Sequence, residues 1–227
     1  VQAEPAFRKG WFEVQDLGSQ MAAVLAGAVP GSQVLDFCAG AGGKTLALAA
    51  AMDNTGQIFA HDSEKQRLAP IFDRLQRAGC RNVQVAANPA DLAPLEGHMD
   101  LVLVDAPCTG SGTWRRRPDA KWRRSDRRLA AGVAEQAAIL DNAARFVKPG
   151  GRLAYITCSV FAEENALQVE AFRTRAPAFA PVDHLDLWRA AFDAPPDSAF
   201  IDPVGGIGLS PHRTGTDGFY IAVLRRV

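Results

Sequence analysis

Short β-rich runs alternate with longer helical runs from residue 31 onward, and this alternation constrains the fold more than any other feature. Strands separated by helices are joined by right-handed crossovers, which give a parallel sheet covered by helices on both faces. The chain is therefore predicted to be an α/β protein with a doubly wound, mostly parallel, Rossmann-like sheet. The predicted strands are 33–37, 57–61, 82–87, 100–106 and 152–159, and the predicted helices are 44–52, 63–78, 126–147 and 162–175.

The remaining stretches complete this expected fold. Pro70 is expected to interrupt the second helix, because proline removes a helical hydrogen bond. KPGG at 148–151 indicates a helix stop and a turn. Residues 176–217 are rich in Pro, Gly and Asp and predict loops with at most one weak strand, whereas 218–226 predict a last strand at or near an edge. We expect residues 1–30 to be an N-terminal extension packed on one large domain.

Composition and charge exclude several classes of protein. Lys and Arg number 25, as do Asp and Glu, so the chain as a whole is not a polycation. We expect no membrane helix, because no apolar run is long enough, and no secretory leader. The four cysteines are widely spaced and form no CxxC pair, which argues against zinc and predicts no metal. We therefore expect a cytoplasmic protein with reduced thiols.

Polar and thiol side chains follow the predicted strands, at the point where each strand ends. Ligands of open α/β sheets bind at the carboxyl ends of the strands, so this placement predicts a site there. In chain order these residues are Asp36, Cys38, Asp62, Asn88, Asp91, Asp105, Cys108 and Cys158.

The loop DFCAGAGGKT at 36–45 is the first part of this expected site, and its glycines indicate a ligand bound through backbone N–H groups. A P-loop would need glycine at position 38, which is cysteine. A dinucleotide fingerprint would need glycine at position 45, which is threonine. An S-adenosylmethionine loop needs an acid at the end of each of the first two strands, and Asp36 and Asp62 fit. Because NAD-binding folds also use such a second acid, and because a plain turn has no ligand, Asp62 alone does not decide.

Two thiols at neighbouring strand ends indicate covalent chemistry, although each alone is equally well explained as a small buried hydrophobe. Carbon 5 of cytosine is a poor nucleophile until a thiolate adds to carbon 6. A second group is then useful as a base or to assist release. Cys108 in DAPC and Cys158 in TCS supply two thiols, and Asp105 is placed to hold the cytosine edge at N3 or N4.

The chain resembles the Sun (Fmu) family of RNA cytosine carbon-5 methyltransferases. The resemblance is carried, in the family's order, by VQDLGSQ, DFCAGAGGKT, HDSEKQRL, DAPCTGSGTWRRRPDAKW, TCSVFAEEN and DGFYIAVL. It implies a sheet of the class I methyltransferase type, a catalytic domain at 31–227 and S-adenosylmethionine as cofactor. It also implies that Cys158 is the nucleophile, that Cys108 assists product release, and that Asp105 lines both cofactor and base. The cofactor residues implied are Cys38, Ala39, Gly40, Ala41, Gly42, Gly43, Lys44, Asp62, Asn88 and Asp105.

Two positions depart from the family pattern. Ala41 stands where the family loop usually has proline, so the turn loses some rigidity. Asn88 stands where an aspartate commonly contacts the adenine, and either Asn88 or Asp91 is expected to make that contact.

Residues 115–128 form a local basic segment, although the net charge of the whole chain is zero. It holds seven Arg and one Lys against two Asp, which is a net charge of +6. Such a segment directly after DAPC suits a phosphate backbone, so we expect it to bind RNA. Trp114 and Trp122 are expected to anchor the segment in the core, with base stacking as the alternative. The RNA-binding residues predicted here are Arg115, Arg116, Arg117, Lys121, Arg123 and Arg124.

We therefore expect a monomeric enzyme that methylates carbon 5 of a cytosine in RNA through a covalent cysteine–base intermediate. Ribosomal RNA is the expected substrate, and transfer RNA is the alternative. A nucleobase amine methyltransferase is a second alternative, which would not need Cys158. A basic RNA-binding domain on an inert Rossmann fold is a third, which would bind cofactor without turnover.

Overall fold

The computed structural model describes residues 1–123, 125–193 and 199–227, with the backbone alone at Arg123. Within these ranges nine strands form one sheet in the order β3-β2-β1-β4-β5-β9-β8-β7, with β6 pairing with β9. The strands are β1 (Gln33–Asp36), β2 (Gln57–Ala60), β3 (Val83–Val85), β4 (Met99–Asp105), β5 (Val147–Thr157), β6 (Phe179–Pro181), β7 (Phe200–Ile201), β8 (Ile207–Leu209) and β9 (Phe219–Arg226). The helices are α1 (Pro5–Arg8), α2 (Leu17–Ala26), α3 (Gly43–Ala51), α4 (Lys65–Leu68), α5 (Ile71–Ala78), α6 (Asp126–Ala143), α7 (Ala166–Arg175), α8 (His184–Ala191) and α9 (Pro211–Thr214).

The first five strands are parallel, as the alternating sequence pattern predicts. β1 pairs with β2 on one side and with β4 on the other, so the strand order reverses beside β1. A reversal of this kind opens a crevice at the carboxyl ends of the strands, where ligands of such sheets bind. The fold class predicted from the sequence is confirmed.

The predicted edge position of the last strand is wrong. β9 runs antiparallel to β5 and also pairs on its other side with β6 and β8. Residues from Phe219 to Leu224 are all buried, because the strand is covered on both faces. In the described parts of the stretch 176–217 there is more regular structure than predicted, namely β6, β7, β8, α8 and α9.

The stretch KPGG is a bulge at the start of a strand, so the predicted helix stop at this stretch is wrong. α6 ends at Ala143 and is followed by a 3₁₀ turn, Ala144–Phe146, after which β5 begins at Val147. In the pairing of β4 with β5, Met99 lies opposite Val147 and Leu101 lies opposite Arg152. Residues 148–151 of β5 therefore stand against a single residue of β4. The interruption at Pro70 is confirmed, because α4 ends at Leu68 and α5 begins at Ile71.

Helices cover both faces of the sheet. On one face α6 and α7 contribute Leu140 and Phe172 to a cluster with Val102, Val104 and Tyr155. On the other face α2, α3 and α8 contribute Leu25, Leu48 and Trp188 to a cluster with β-strand residues such as Leu103 and Ile156. Because residues of one strand alternate between the two clusters, each helical layer faces its own half of the side chains.

α2 joins this second cluster through Ala22, Leu25 and Ala26. The division of the chain at residue 30 stays a prediction. Across the described part of the chain, no helix is long and apolar enough to cross a membrane.

Candidate active site

The glycine loop follows β1 and begins with a buried carboxyl group. Asp36 is fully buried, and one of its oxygens, Oδ2, accepts a hydrogen bond of 2.7 Å from the hydroxyl of Thr45. Its other oxygen, Oδ1, is buried without a partner. Burial therefore raises the pKa of Asp36 to about 7.

The turn of the loop is held by the acid that follows β2. The N–H groups of Gly40 and Glu64 each donate to one oxygen of Asp62, at 2.9 Å in both cases. Gly42 has φ of +83°, and a Cβ there would lie 2.5 Å from Cγ1 of Ile71. Glycine at 42 is therefore required both by the backbone angle and by the close approach of α5.

A cleft of about 560 Å³ opens beside this loop, against α6. The ends of the first three parallel strands all contribute to it. Its lining includes Phe37, Cys38, His61, Ser63, Pro89, Leu92, Ile139 and Phe146. The structure thus brings the ends of β1, β2 and β3 to one concave surface.

The two candidates for an adenine contact lie beside this cleft, after β3. The backbone N–H of Asn88 donates to Oδ2 of Asp91 at 3.2 Å, and Lys65 donates to Oδ1 of Asn88 at 3.1 Å. Both candidate side chains are exposed and already linked to each other through this turn.

A buried ion pair connects the glycine loop to the end of β4. Nζ of Lys44 lies 2.6 Å from Oδ2 of Asp105, and the lysine side chain is only 6% exposed. The same ammonium lies 5.3 Å from the ring centroid of Phe219, at the start of β9. Lys44 is therefore fixed between two strands, with the carboxylate of Asp105 on its exposed side.

The two predicted catalytic thiols meet at the ends of β4 and β5. Sγ of Cys108 lies 3.4 Å from Sγ of Cys158, and both side chains are half-buried. Their hydrogen bond is the largest cause of opposite shifts: it lowers the pKa of Cys158 and raises the pKa of Cys108. Lys44 also lowers the pKa of Cys158. Of the two sulfurs, Cys158 therefore ionises more readily than Cys108.

Cys38 also follows the carboxyl end of a parallel strand, but its environment differs from that of Cys108 and Cys158. Burial and the surrounding carboxylates raise its pKa, and its side chain packs against the hydrophobic core. A half-buried thiol with a raised pKa in that position serves packing rather than nucleophilic chemistry.

Two polar residues after β5 are part of this site, where the sequence most simply predicts the start of a helix and offers an active-site contact as the second possibility. Glu164 and Asn165 are buried and bond to the loops that carry Cys108 and Cys158. The available sequence signal was the acidic pair Glu163 and Glu164, which follows TCS after three intervening residues and which a helix N-terminus explains most simply. Burial of Glu164 depends on contacts 55 residues away along the chain.

The start of the basic segment is tied to the sheet by a buried aspartate. Arg115 and Arg116 donate to the two oxygens of Asp217 at 3.0 and 2.6 Å, and Asp217 is fully buried. The two arginine side chains nevertheless remain 50% and 48% exposed. They anchor the segment while presenting half of their surface outward.

The two tryptophans of the segment have different surroundings. Trp114 packs edge-on against Phe161 with ring centroids 6.0 Å apart, as expected for an anchor. Trp122 is 82% exposed, so its predicted anchoring is wrong. Lys121 lies over both rings, at 6.0 Å from Trp114 and 5.4 Å from Trp122.

Of the other predicted RNA-binding residues, Arg117 and Lys121 are exposed. Arg124 and the side chain of Arg123 lie outside the described residues. Within the described ranges, no group of three or more His, Cys, Asp or Glu side chains is arranged to hold a metal ion.

Two solved structures superpose on almost the whole of this chain. PH0851 is 37% identical, superposes with a TM-score of 0.87, and is matched over 98% of this chain and 49% of its own. NSun6 from Pyrococcus horikoshii, solved with SFG, is 29% identical with a TM-score of 0.84, over 100% of this chain and 56% of its own.

Comparison of sequences gives the family. Ribosomal RNA small subunit methyltransferase B of Salmonella arizonae is 41% identical over 180 residues, which are 78% of this chain and 42% of that protein. The chain thus spans less than half the length of this curated relative. The model of the family described as 16S rRNA methyltransferase RsmB/F matches residues 23–225. Because this match covers most of the sheet and all of the residues described above, the chain belongs to the 16S rRNA methyltransferase RsmB/F family.

Proposed function

We propose that this chain is the catalytic part of an S-adenosylmethionine-dependent methyltransferase that modifies carbon 5 of a cytosine in ribosomal RNA. The observation that carries this proposal is the pair of thiols 3.4 Å apart, with pKa values moved in opposite directions. Transfer of a methyl group to an amine nitrogen would need neither thiol. Carbon 5 chemistry needs a sulfur nucleophile, and a second thiol beside it is useful.

The residues of the glycine loop fit S-adenosylmethionine. A Cβ on Gly40 would meet only Arg67 Nη2 at 3.8 Å and Asp62 Oδ2 at 3.9 Å, so it would fill open space beside the carboxylate. Each oxygen of Asp62 receives one backbone hydrogen bond and keeps a lone pair for a ribose hydroxyl. The neighbouring cleft of about 560 Å³ is large enough and apolar enough for an adenine ring.

The cofactor would be held by the loop from Cys38 to Lys44, by Asp62, and by Asn88 or Asp91. When bound, its sulfonium group supplies an electrophilic methyl group. Lys44 and Asp105 would border the methyl end of the cleft, because their ion pair lies between the glycine loop and the thiols.

The nucleophilic step is assigned to Cys158. Its thiolate adds to carbon 6 of the cytosine, forming a carbon–sulfur bond as the C5–C6 π bond opens, while the carboxylate of Asp105 accepts a hydrogen bond from the N4 amino group, or from N3 once N3 is protonated. Carbon 5 thereby becomes nucleophilic and accepts the methyl group. Solvent water then accepts the proton from carbon 5, the electron pair of that C–H bond forms the C5–C6 double bond, and the carbon–sulfur bond breaks, so Cys158 leaves as a thiolate and the ring is aromatic again.

Cys108 is assigned to the release step. Its raised pKa keeps it protonated, so its S–H group donates toward the sulfur of Cys158. This hydrogen bond stabilises the negative charge that Cys158 carries before it adds to the ring and after it leaves.

The RNA would contact the face formed by the basic segment. Arg117 and Lys121 are exposed, Arg115 and Arg116 are half-exposed, and Trp122 presents its ring to solvent. Cations beside an exposed aromatic ring suit a phosphate backbone with an unpaired base. Arg123 and Arg124 remain predicted members of this surface.

The test compares the parent protein with Cys158→Ala, Cys108→Ala and a control, Cys80→Ala. Each protein is mixed with S-adenosylmethionine and 16S ribosomal RNA transcribed without modifications. Denaturing gels then detect covalent adducts, and nucleoside analysis measures 5-methylcytosine. Cys80 follows α5 and packs among apolar side chains, so its variant should behave as the parent does.

We expect no adduct and no product with Cys158→Ala, and an adduct that persists with Cys108→Ala. Formation of 5-methylcytosine by Cys158→Ala, or methylation of an amine nitrogen by the parent, would contradict the proposal.

A further inference from the structure

Glu164 and Asn165 are consecutive buried residues that lie between the two cysteine loops. Glu164 is fully buried and Asn165 is 8% exposed. A 3₁₀ turn, Ala162–Glu164, follows β5 and returns the chain toward the thiols. The hydroxyl of Tyr155, within β5, donates to the backbone oxygen of Glu164 at 2.7 Å and fixes this turn to the sheet.

The carboxylate of Glu164 holds the loop that carries Cys108. It accepts hydrogen bonds from the backbone N–H of Thr109 at 2.9 Å and from the Thr109 hydroxyl at 2.6 Å. It also accepts one from the side chain of Gln136 at 3.0 Å, and the same Gln136 amide donates to the backbone oxygen of Pro107 at 2.9 Å. The residues on both sides of Cys108 are therefore bound to one carboxylate, directly or through one amide.

The amide of Asn165 holds the loop that carries Cys158. Its oxygen accepts a hydrogen bond of 2.6 Å from the hydroxyl of Thr157, and its nitrogen donates to the backbone oxygen of Ser159 at 2.9 Å. The residues on both sides of Cys158 are therefore bound to one side chain.

Resting on the function proposed above, we propose that Glu164 and Asn165 act together as a positioning clamp that sets the separation of the two thiols. Each side chain is hydrogen-bonded to residues that flank one cysteine, directly or through Gln136. The two residues are consecutive in the chain, so one peptide bond links the two anchoring points. Neither one touches the reacting atoms in this assignment, so both are positioning residues rather than catalytic ones.

The consequence of the clamp is the hydrogen bond between the two sulfurs. That bond is the main reason why the pKa of Cys158 is lowered and that of Cys108 is raised. Hydrogen bonds weaken steeply with distance and angle, so a displaced loop would lose this division between thiolate and thiol.

Loss of the Glu164 hydrogen bonds (the Glu164 arm of the clamp) and loss of the Asn165 hydrogen bonds (the Asn165 arm) should impair different steps of the reaction. Without the Glu164 arm, the Cys108 loop moves, so the adduct forms but is released slowly. Without the Asn165 arm, Cys158 itself moves, so the adduct forms slowly. A loss of folding alone would not separate formation from release.

The experiment uses Glu164→Ala, the isosteric variants Glu164→Gln and Asn165→Asp, and a matched control, Glu163→Gln. Glu163 lies in the same turn but is exposed. The isosteric variants keep the volume of the side chain, so they remain informative if Glu164→Ala does not fold. Thermal melting identifies the variants that fold.

The first readout needs neither RNA nor turnover. The rate of Cys158 alkylation by iodoacetamide is followed by mass spectrometry as the pH is raised, since only the thiolate reacts. We expect the alkylation profile to move to higher pH in Glu164→Ala and Asn165→Asp, to be partly restored in Glu164→Gln, and to be unchanged in Glu163→Gln.

The second readout follows single turnovers with RNA. We expect the adduct to live at least about tenfold longer in Glu164→Ala, and to form at least about tenfold more slowly in Asn165→Asp, because small misplacements of reacting groups have effects of this order. The KM for RNA should stay near that of the parent.

Folded variants of Glu164 and Asn165 with the parent's alkylation profile would overturn the clamp. Shifted alkylation profiles in the variants, together with neither an adduct in Cys108→Ala nor 5-methylcytosine in the parent, would uphold the clamp and reject the proposed function instead. The two failures are therefore distinguishable.

Discussion

Replacement of Gly112 by alanine should disturb both cysteine loops through a single methyl group. The N–H of Gly112 donates to the backbone oxygen of Cys158 at 2.9 Å, and its oxygen accepts from the N–H of Gly218 at 2.9 Å. A Cβ at position 112 would lie 2.1 Å from the oxygen of Gly218 and 2.6 Å from its carbonyl carbon. These are backbone atoms beside β9, so no side chain can rotate away to relieve the contact.

The size of the effect follows from this geometry. Non-bonded heavy atoms pack roughly 3.5 Å apart, so relief requires a movement of more than about 1 Å. Overpacking of this kind costs about 1–3 kcal/mol, and each lengthened backbone hydrogen bond adds about 1 kcal/mol. A total of about 3–5 kcal/mol would lower the melting temperature by about 6–20 °C in a chain of this size. Because Cys158 moves with its carbonyl, methylation should fall by about 100-fold.

The assay is thermal unfolding together with single-turnover methylation, with Gly132→Ala as the control for stability. Gly132 lies in α6, and a Cβ there would meet only Oε1 of Glu164, at an ordinary 3.9 Å. Alanine is the better helix former by about 1 kcal/mol, so Gly132→Ala should melt at the parent's temperature or above it. A Gly112→Ala protein that melts within about 2 °C of the parent and retains its activity would refute the reasoning.

Three further predictions follow from the buried acids and the exposed tryptophan. Burial raises the pKa of Asp36 from 3.8 to about 7, so the folded protein keeps a proton that the unfolded chain has released. Stability from this group is complete below pH 3.8 and falls by about 4 kcal/mol as the pH rises through about 7; Asp36→Asn should flatten this dependence in urea unfolding. Burial acts to raise the pKa of Asp217, but hydrogen bonds from Arg116 and Arg115 outweigh it and lower that pKa below 3.8. The stability from this ion pair is therefore present above pH 3.8 and lost in more acid solution, and melting curves of Asp217→Asn should lack this acid-dependent loss. Trp122→Ala should weaken RNA binding about tenfold in fluorescence anisotropy, since stacking of one base contributes about 1–3 kcal/mol, and should leave the melting temperature unchanged because the ring is 82% exposed.

Local sequence patterns were sufficient to predict the strands of the parallel half of the sheet. Strands β1 to β5 and the break at Pro70 follow from apolar runs, helix formers and a proline, all of which act within a few residues of the chain. The interior position of β9 and the bulge at 148–151 did not follow, because they depend on partners far away in sequence. An apolar run predicts a strand, but its position in the sheet depends on which neighbours remain unpaired.

The sequence by itself determined that Asp36, Asp62, Asp105, Cys108 and Cys158 would share one edge of the sheet. Parallel strands present their carboxyl ends on the same side, so the position of each residue after its strand was enough.

Only the tertiary structure decided what these residues do to one another. Cys108 and Cys158 are 50 residues apart in the chain but 3.4 Å apart in space, and this distance depends on the pairing of β4 with β5 and on the hydrogen bonds of Glu164 and Asn165. Side-chain separations of this kind, and the pKa values that follow from them, arise from burial and long-range contacts, which a pattern read along the chain does not contain.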